Sequence, residues 1–427
     1  MLLTCSHIVR VIKYAYMEYK ARLTYHVFIA AAILIAAYIF AYSAIGQDVF
    51  SHSDYDSYTR QAAAWWHGSA QLPPPYETDA ALKEFRAETW LEIAEYNGKH
   101  FVSFPPFPSV VQFMLYPMFG MGVPDNLVNT LFGLGSLILI YCFLIRRGFE
   151  GFSASAFALL MTLGSNLFYI SVTGWVWFSA QTQSFFFSAL AVYLIYSKNK
   201  GAWYFSFLAL GIAVACRPFQ LVYAPLMLYI LYKNIGGEKG FVRNLLACVK
   251  YVVPMAAVGL LIAAYNYSRF GDIFEFGHNF LPEFAREEQF SFSYVPGNFL
   301  EVLKLPEIRG GRFEWPMFNG TLFFLVNPVF VALAVSLVRR FDIKQAIYLL
   351  CFLAHFVLLL THRTMGGWQF GSRYLVDLLP FMLVVFADDR SYKTFGATKA
   401  AALPAALAVF GAALNIWGAL WYYGQNI

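Results

Sequence analysis

Long apolar runs without charged residues recur along the chain, and they limit its possible folds more than any other feature. A helix needs about 20 such residues to cross a bilayer. About eleven runs approach that length, in a chain of 427 residues that is 59% hydrophobic and 13% charged. They lie near 27–45, 125–145, 152–172, 179–197, 202–216, 218–232, 251–267, 319–338, 343–361, 374–388 and 399–421. The sequence therefore predicts an all-α polytopic membrane protein, and it excludes a disordered or collagen-like chain.

The positions of Lys and Arg predict the orientation, because basic residues stay on the cytoplasmic side. With the N-terminus inside, the inside segments hold 18 of the 30 basic residues and six of the 25 acidic ones. The first run is interpreted as a signal anchor rather than a cleaved signal peptide, since a basic lead precedes it. We expect a multi-pass protein of the plasma (inner) membrane with a cytoplasmic N-terminus. The basic residues form short clusters beside the spans, so nucleic-acid binding is not predicted.

This topology places two long loops, 46–124 and 268–318, on the extracytoplasmic side of a single membrane domain that covers 1–427. The connections on the cytoplasmic side are short, so we expect the functional site outside. In the first loop, amphipathic or short apolar patterns predict helices that lie on the membrane surface or re-enter it. These helices are expected at 56–68, 78–96 and 110–119.

Metal and cofactor sites need clustered ligands or nucleotide-binding loops, and the sequence carries neither pattern. The five cysteines are isolated, so no metal and no cofactor are predicted. Near the centre of a span, His355 is the one ionisable residue, which argues against an ion-coupled transporter. A packing role for His355 is the simpler interpretation.

Two carboxylates follow the first span, at Asp54 and Asp56. A partly desolvated carboxylate at the membrane surface is suited to take a proton from a hydroxyl group. The alternative is that one of them caps the helix that follows. Further along, the Asn97-Gly98 pair predicts the turn of a small hairpin.

Taken in order, these segments resemble the GT-C superfamily of multi-spanning glycosyltransferases. The resemblance is to the branch of protein O-mannosyltransferases and the lipid A aminoarabinose transferase, which is family 39-like. The family pattern has an Asp, a Tyr and an Ala at four-residue steps, matched by Asp54, Tyr58 and Ala62. A Gly-containing turn and a Phe-Pro-Pro segment follow in the family, matched by 97–98 and 104–106.

Two later segments, 265–277 and 366–380, also have the character of bacterial members. Relatives commonly carry an adjacent Asp-Glu pair where this chain has Asp54-Tyr55-Asp56. The register with Tyr58 favours Asp54 as the base, and Asp56 is the alternative.

The resemblance implies transfer of a sugar from a polyprenyl-phosphate donor to a hydroxyl of a glycan, lipid or protein, with inversion and an Asp base. Arginines at the outer ends of spans are suited to hold the departing phosphate, because guanidinium pairs bidentately with phosphate. The candidates, in order, are Arg373, Arg269 and Arg217. The other expected substrate-binding residues are His278, Glu275, Trp368, Tyr58 and Lys99.

Simpler roles stay open for these residues. The arginines could be interfacial anchors, and Arg373 could pair with Asp377 four residues on. Glu275 could orient His278 or Arg269. Three other functions also stay open for the whole chain: a lipid-linked glycan polymerase or ligase with a pyrophosphate donor, a lipid or sugar transporter, and a structural scaffold.

Overall fold

The computed structural model describes residues 5–72, 92–236, 240–284, 287–396 and 402–426. Within these ranges the chain forms sixteen α-helices and two β-hairpins. The helices are α1 Cys5–Ile45, α2 Ser57–Trp66, α3 Phe107–Phe119, α4 Asp125–Arg146, α5 Gly151–Met161, α6 Asn166–Ser171, α7 Val176–Ile195, α8 Lys200–Cys216, α9 Ala224–Ile235, α10 Phe241–Phe270, α11 Val295–Glu301, α12 Phe323–Val326, α13 Val329–Arg339, α14 Ile343–Leu360, α15 Met382–Phe386 and α16 Leu403–Asn426. The hairpins pair β1 Ile93–Tyr96 with β2 Lys99–Val102, and β3 Glu307–Arg309 with β4 Arg312–Glu314.

Among the described residues, five helices are long and apolar enough to cross a membrane, as the hydropathy pattern predicts for a polytopic protein. They are Tyr25–Ile45, Asp125–Arg146, Val242–Phe270, Ile343–Leu360 and Leu403–Gly424. The predominantly helical fold is confirmed. The total of about eleven crossings stays a prediction, because the remaining helices are shorter, interrupted or, as in α7, less apolar.

Three apolar runs that were expected to form continuous spans are interrupted, so that expectation was wrong. The 152–172 run breaks between α5 and α6, and the 319–338 run breaks between α12 and α13 at Asn327-Pro328. The 374–388 run begins as a 3-10 helix over Arg373–Leu378, followed by Pro380 and α15. Proline lacks an N–H donor and clashes with the preceding turn, which ends a helix at two of these places.

Buried asparagines satisfy the backbone groups that the breaks release. The Asn327 Oδ1 atom accepts from the backbone N–H of Asn166 at 2.9 Å, and the Asn166 Oδ1 atom accepts from the backbone N–H of Ser372 at 3.0 Å. The Asn415 Nδ2 atom donates to the carbonyl of Val326 at 2.9 Å. Irregular backbone at membrane depth is tolerated where protein groups supply such partners. These asparagines therefore join α6, α12, α16 and the 3-10 helix.

In the first long loop, two of the three segments predicted to be helical do form helices, and their position at the membrane surface stays a prediction. Helix α2 lies within 56–68, and α3 covers 110–119 but starts at Phe107, directly after Pro105-Pro106. Residues 78–91 of the remaining predicted helix, 78–96, lie outside the described residues. At 93–96 the helix prediction was wrong, because this segment is strand β1. Asn97 and Gly98 both have positive φ, of 52° and 73°, as the turn of a two-residue hairpin requires, and the expected hairpin is confirmed.

The turn between α6 and α7 is fixed by two buried asparagines of α4. The Asn126 Oδ1 atom accepts from the backbone N–H of Gly174 at 2.7 Å. The Asn129 Nδ2 atom donates to the carbonyls of Ile170 and Thr173 at 2.8 and 2.6 Å. Glycine is needed here, since a Cβ atom at 174 would lie 2.5 Å from the backbone of Asp125. The turn therefore holds the start of α7 tightly against the start of α4.

This close approach predicts that Gly174→Ala is destabilising. The added methyl must separate α4 from the turn, and overpacking of this kind costs about 1–3 kcal/mol. We expect a lower apparent Tm for the purified protein in detergent. Gly259→Ala in α10 is the matched control, because a Cβ there meets no atom within 4 Å. Equal Tm values for the two variants would contradict the close packing at Gly174.

Candidate active site

A cavity of about 430 Å³ opens at the end of the bundle where α1 ends and α4 and α7 begin. More than half of its lining residues are aromatic. Its acidic, basic and histidine lining residues are Glu92, His278, His362, Arg363 and Arg373. These come from four separate stretches of the chain, so the cavity is assembled by the tertiary fold. Aromatic walls with a few convergent polar groups are typical of ligand-binding pockets.

Glu92 presents the cavity's carboxylate from an unusual backbone conformation. Its φ is +61°, a left-handed value that a non-glycine residue adopts rarely and at some cost in energy. Its N–H donates to the Glu283 carboxylate at 2.8 Å, and its carbonyl accepts from the Ser103 hydroxyl at 2.7 Å. The Oε2 atom is buried without a hydrogen-bond partner among the described residues. Surrounding groups thus hold this backbone while one carboxylate oxygen stays available.

Burial determines the acidity of this carboxyl. It raises the pKa of Glu92 to about 7, although a hydrogen bond with Trp177 and the positive charge of Arg373 act in the opposite direction. A carboxylate with this pKa is a stronger base than an exposed one, and it is still substantially ionised at neutral pH.

Two arginines supply the positive charge. Arg373 donates from Nη1 to the Gln181 Oε1 atom at 3.1 Å and from Nη2 to the carbonyl of Gly366 at 2.9 Å, while its buried Nε has no partner among the described residues. Arg363 lies over the Phe284 ring at 3.8 Å, with its nearest backbone acceptors at 3.4–3.5 Å. Neither guanidinium is paired with a carboxylate in the described ranges. Both can therefore bind an anion.

The two histidines of the cavity are neutral. Burial lowers the pKa of His278 to about 3, and the nearby His362 and Arg363 lower it further in the same direction. Burial likewise lowers the pKa of His362 to about 4, despite its hydrogen bond to the Thr364 carbonyl. At neutral pH these side chains offer neutral donors and acceptors rather than charge.

A second, more apolar cavity of about 270 Å³ adjoins the first. Phe104, His278, His362 and Tyr374 line both cavities. The second cavity also contains Arg217, whose Nε donates to the Asp377 Oδ2 atom at 2.8 Å.

Comparison with known proteins concerns the architecture alone. No protein-family model matches the sequence, and no curated protein does. The solved structure of ArnT from Cupriavidus metallidurans in the apo state is similar, with a TM-score of 0.50, 15% identity, and coverage of 94% of this chain and 76% of that chain. The chain has the GT-C fold. A structure of the same ArnT bound to undecaprenyl phosphate aligns with a TM-score of 0.49, 14% identity, and coverage of 93% of this chain and 76% of that chain.

Within this GT-C fold, four of the ten residues expected from the sequence line the two cavities. Arg373, His278 and Trp368 line the first cavity, and Arg217 lines the second. The expected pairing of Arg373 with Asp377 is wrong, because in the described residues Asp377 pairs with Arg217. A 3-10 helix at 373–378 replaces the α-helical spacing on which that expectation relied.

Four other expected binding residues do not line either cavity. Arg269 donates to the carbonyl of Val102 and to the Asn266 Oδ1 atom, between two aromatic rings. Glu275 accepts from the Gly277 N–H and the Asn279 amide, so it orients neither His278 nor Arg269. Tyr58 is buried, and Lys99 is exposed on β2.

The two candidate bases have different surroundings. Asp54 is exposed and borders neither cavity. Asp56 is buried, with its Oδ1 atom 2.6 Å from Arg60 Nε and its Oδ2 atom 3.0 Å from His52 Nε2. Burial alone lowers the pKa of His52, but the hydrogen bond to Asp56 and the charges of Asp56 and Asp125 outweigh it and raise that pKa. Asp56 thus joins the loop to α2 as part of an ion-paired cluster.

Sequence reasoning missed Glu92 and Arg363. Arg363 lies in a polar Thr-His-Arg-Thr stretch directly after the ninth apolar run, and this position was the available signal. Glu92 belonged to a predicted amphipathic helix, where an acidic residue is unremarkable. Among the described residues, no group of three or more His, Cys, Asp or Glu side chains is placed to hold a metal ion.

The ion-paired cluster predicts that Asp56→Asn acts mainly on stability. Removing one partner of a buried ion pair costs about 3–5 kcal/mol, because the other charge stays buried. We expect a clearly lower apparent Tm in detergent for Asp56→Asn. Asp54→Asn, at the exposed neighbouring carboxylate, should keep the wild-type Tm. If Asp56→Asn keeps the wild-type Tm yet abolishes function, Asp56 has a chemical role instead.

Proposed function

We propose that this protein transfers a sugar from a polyprenyl-phosphate donor to an acceptor hydroxyl. The proposal rests on one observation. The same aromatic cavity is lined by Glu92, Arg363 and Arg373, and a more apolar cavity adjoins it. A glycosyl transfer of this type needs a base for the hydroxyl, cations for the phosphate and an apolar site for the lipid. The GT-C fold and the motif resemblance of the sequence agree with this requirement.

The reaction exchanges one C–O bond at the anomeric carbon for another. The acceptor hydroxyl loses its proton to the base as its oxygen attacks the anomeric carbon. The bond from that carbon to the phosphate oxygen breaks, and its electron pair leaves with the polyprenyl phosphate. The phosphate changes from a diester to a monoester and gains negative charge, which Arg373 and Arg363 stabilise. Direct displacement inverts the anomeric configuration.

For the base, geometry favours Glu92 over the two aspartates expected from the sequence. Glu92 alone of the three lines the cavity, and its Oε2 atom is unpartnered there. Asp54 keeps the family spacing to Tyr58, but it is exposed and lines neither cavity. Asp56 is occupied by Arg60 and His52. Glu92 is therefore our first candidate, and Asp54 is the second.

The second cavity is our candidate site for the lipid-proximal part of the donor. Its walls are largely phenylalanine and proline, which suit an isoprenoid chain, and Arg217 at its edge adds a cation. Arg217 is bound to Asp377, so its charge is partly compensated. We therefore assign the departing phosphate to Arg373 and Arg363 first, with Arg217 in support.

The Glu92 assignment predicts a pH profile. A base must be ionised, so activity should fall as the pH drops through about 7, the pKa of Glu92, and reach a plateau above it. Glu92→Gln should reduce kcat by about 10²–10⁴-fold, the range that general bases contribute. The assay is release of polyprenyl phosphate from the donor by the purified protein, with donor extracted from cells that lack the gene.

Glu95→Gln is the matched control, since this glutamate lies on the same hairpin with an exposed side chain. It should keep wild-type activity and pH dependence. Asp54→Asn belongs in the same series. Loss of activity in Asp54→Asn with full activity in Glu92→Gln would transfer the base role to Asp54. Full activity in both would contradict the assignment of the base to either carboxylate.

We also propose that the cavity faces the extracytoplasmic side. The opposite end of α4 carries Arg146 and Arg147, and Arg147 pairs there with Asp388 at 2.8 Å. A basic end of this kind is typical of the cytoplasmic side. We expect a cysteine at exposed Asn97, in the hairpin turn, to react with a membrane-impermeant maleimide in intact cells. A cysteine at Lys198, between α7 and α8, should react only after the membrane is permeabilised, and the reverse pattern would invert the topology.

A further inference from the structure

The first cavity, which also contains Glu92, has an aromatic wall made of Tyr55, Trp175 and Trp177. The Tyr55 ring centroid lies 5.1 Å from that of Trp175 and 4.7 Å from that of Trp177. All three residues are partly exposed and line the first cavity, and none of them lines the second cavity. The wall therefore belongs to the part of the site that the donor lipid does not occupy in the proposed function.

Buried polar side chains hold this wall in place. Both tryptophans follow the turn that Asn126 and Asn129 fix from α4. The Val176 N–H also donates to the carbonyl of Tyr55 at 3.0 Å, which attaches the Tyr55 loop to the same turn. Tryptophans that only anchor a protein at a membrane surface do not need such fixed positions. These contacts therefore hold the backbone that carries the three rings.

The chemistry of the wall indicates the class of ligand. Ring faces carry negative potential, and they attract the weakly positive C–H groups on the apolar face of a sugar ring. A peptide that binds as an added β-strand would instead need a row of backbone hydrogen-bond partners, which these rings do not offer. Trp177 and Glu92 line the same cavity, so a sugar stacked on this wall would have its hydroxyls on the side of the cavity that holds that carboxylate.

We propose that the wall of Tyr55, Trp175 and Trp177 is the acceptor subsite, and that the acceptor hydroxyl belongs to a saccharide. This inference rests on the proposed function and specifies its acceptor. The saccharide could be carried on a lipid or be part of a polymer, and both present the same ring face. The inference excludes a serine or threonine hydroxyl of a protein as the acceptor.

The first experiment follows a radiolabelled sugar. Membranes from expressing cells receive polyprenyl-phosphate donor that was extracted, after labelling, from cells lacking the gene. The expected product is label attached to a saccharide, either released from lipid by mild acid or retained in protease-resistant polymer; these two arms distinguish the sources. Label that protease converts to glycopeptides would overturn the acceptor assignment. Failure of wild-type membranes to release any polyprenyl phosphate would instead overturn the proposed function, and this inference with it.

The second experiment separates the acceptor from the donor sugar. Trp175→Ala and Tyr55→Ala should each reduce transfer to the saccharide by roughly tenfold, while release of polyprenyl phosphate by water stays at the wild-type rate. Trp175→Tyr should restore most of the transfer.

Trp66→Ala is the control, because Trp66 is an exposed tryptophan of α2 that does not line the cavity. Variants are compared only at equal apparent Tm. An equal fall in transfer and in donor hydrolysis would place the donor sugar on the wall and overturn the inference.

Discussion

Backbone groups released where apolar helices break must find partners inside the protein, and the rest of this structure depends on that constraint. At the breaks between α5 and α6 and between α12 and α13, the backbone groups are hydrogen-bonded by the side chains of Asn327 and Asn415, and Asn166 belongs to the same network. The same Asn166 accepts from the N–H of Ser372, directly before the 3-10 helix that carries Arg373. Through this chain of contacts, the interruptions that make three spans irregular also position a cation of the cavity.

A second buried network connects the cavity to the bundle. Asp377 binds Arg217, and Gln181 of α7 lies within hydrogen-bonding reach of Asp377 while accepting from Arg373. One carboxylate and one amide thus hold arginines from both cavities at fixed positions. On the facing side, Glu92 keeps a left-handed backbone and a raised pKa because Glu283 and Ser103 bind its backbone and burial restricts its solvation. Strain and desolvation of this kind cluster at functional sites.

The sequence was sufficient for features that depend on local patterns. Hydropathy predicted the helical membrane fold, and the Asn97-Gly98 pair predicted the hairpin. The position of Arg373 next to a span made it a candidate site residue. It was insufficient where a side chain's partner comes from distant sequence. Span-end position cannot distinguish Arg373 from Arg269, whose guanidinium binds the carbonyl of Val102 instead of facing a cavity. Glu92 reaches the site only because β1 follows it, which an amphipathic helical pattern did not predict.

In the proposed function, this cavity uses a sugar carried on a polyprenyl monophosphate. The most direct measurement is mass spectrometry of lipid-linked sugars and of envelope glycans in cells that contain the wild-type protein, the Glu92→Gln variant at equal membrane level, or no protein. The account predicts that a single sugar on polyprenyl monophosphate accumulates in the variant and in the deletion, and that the same sugar is missing from a glycan. Accumulation of a pyrophosphate-linked glycan, or lipid and glycan profiles that are identical in all three strains, would contradict it.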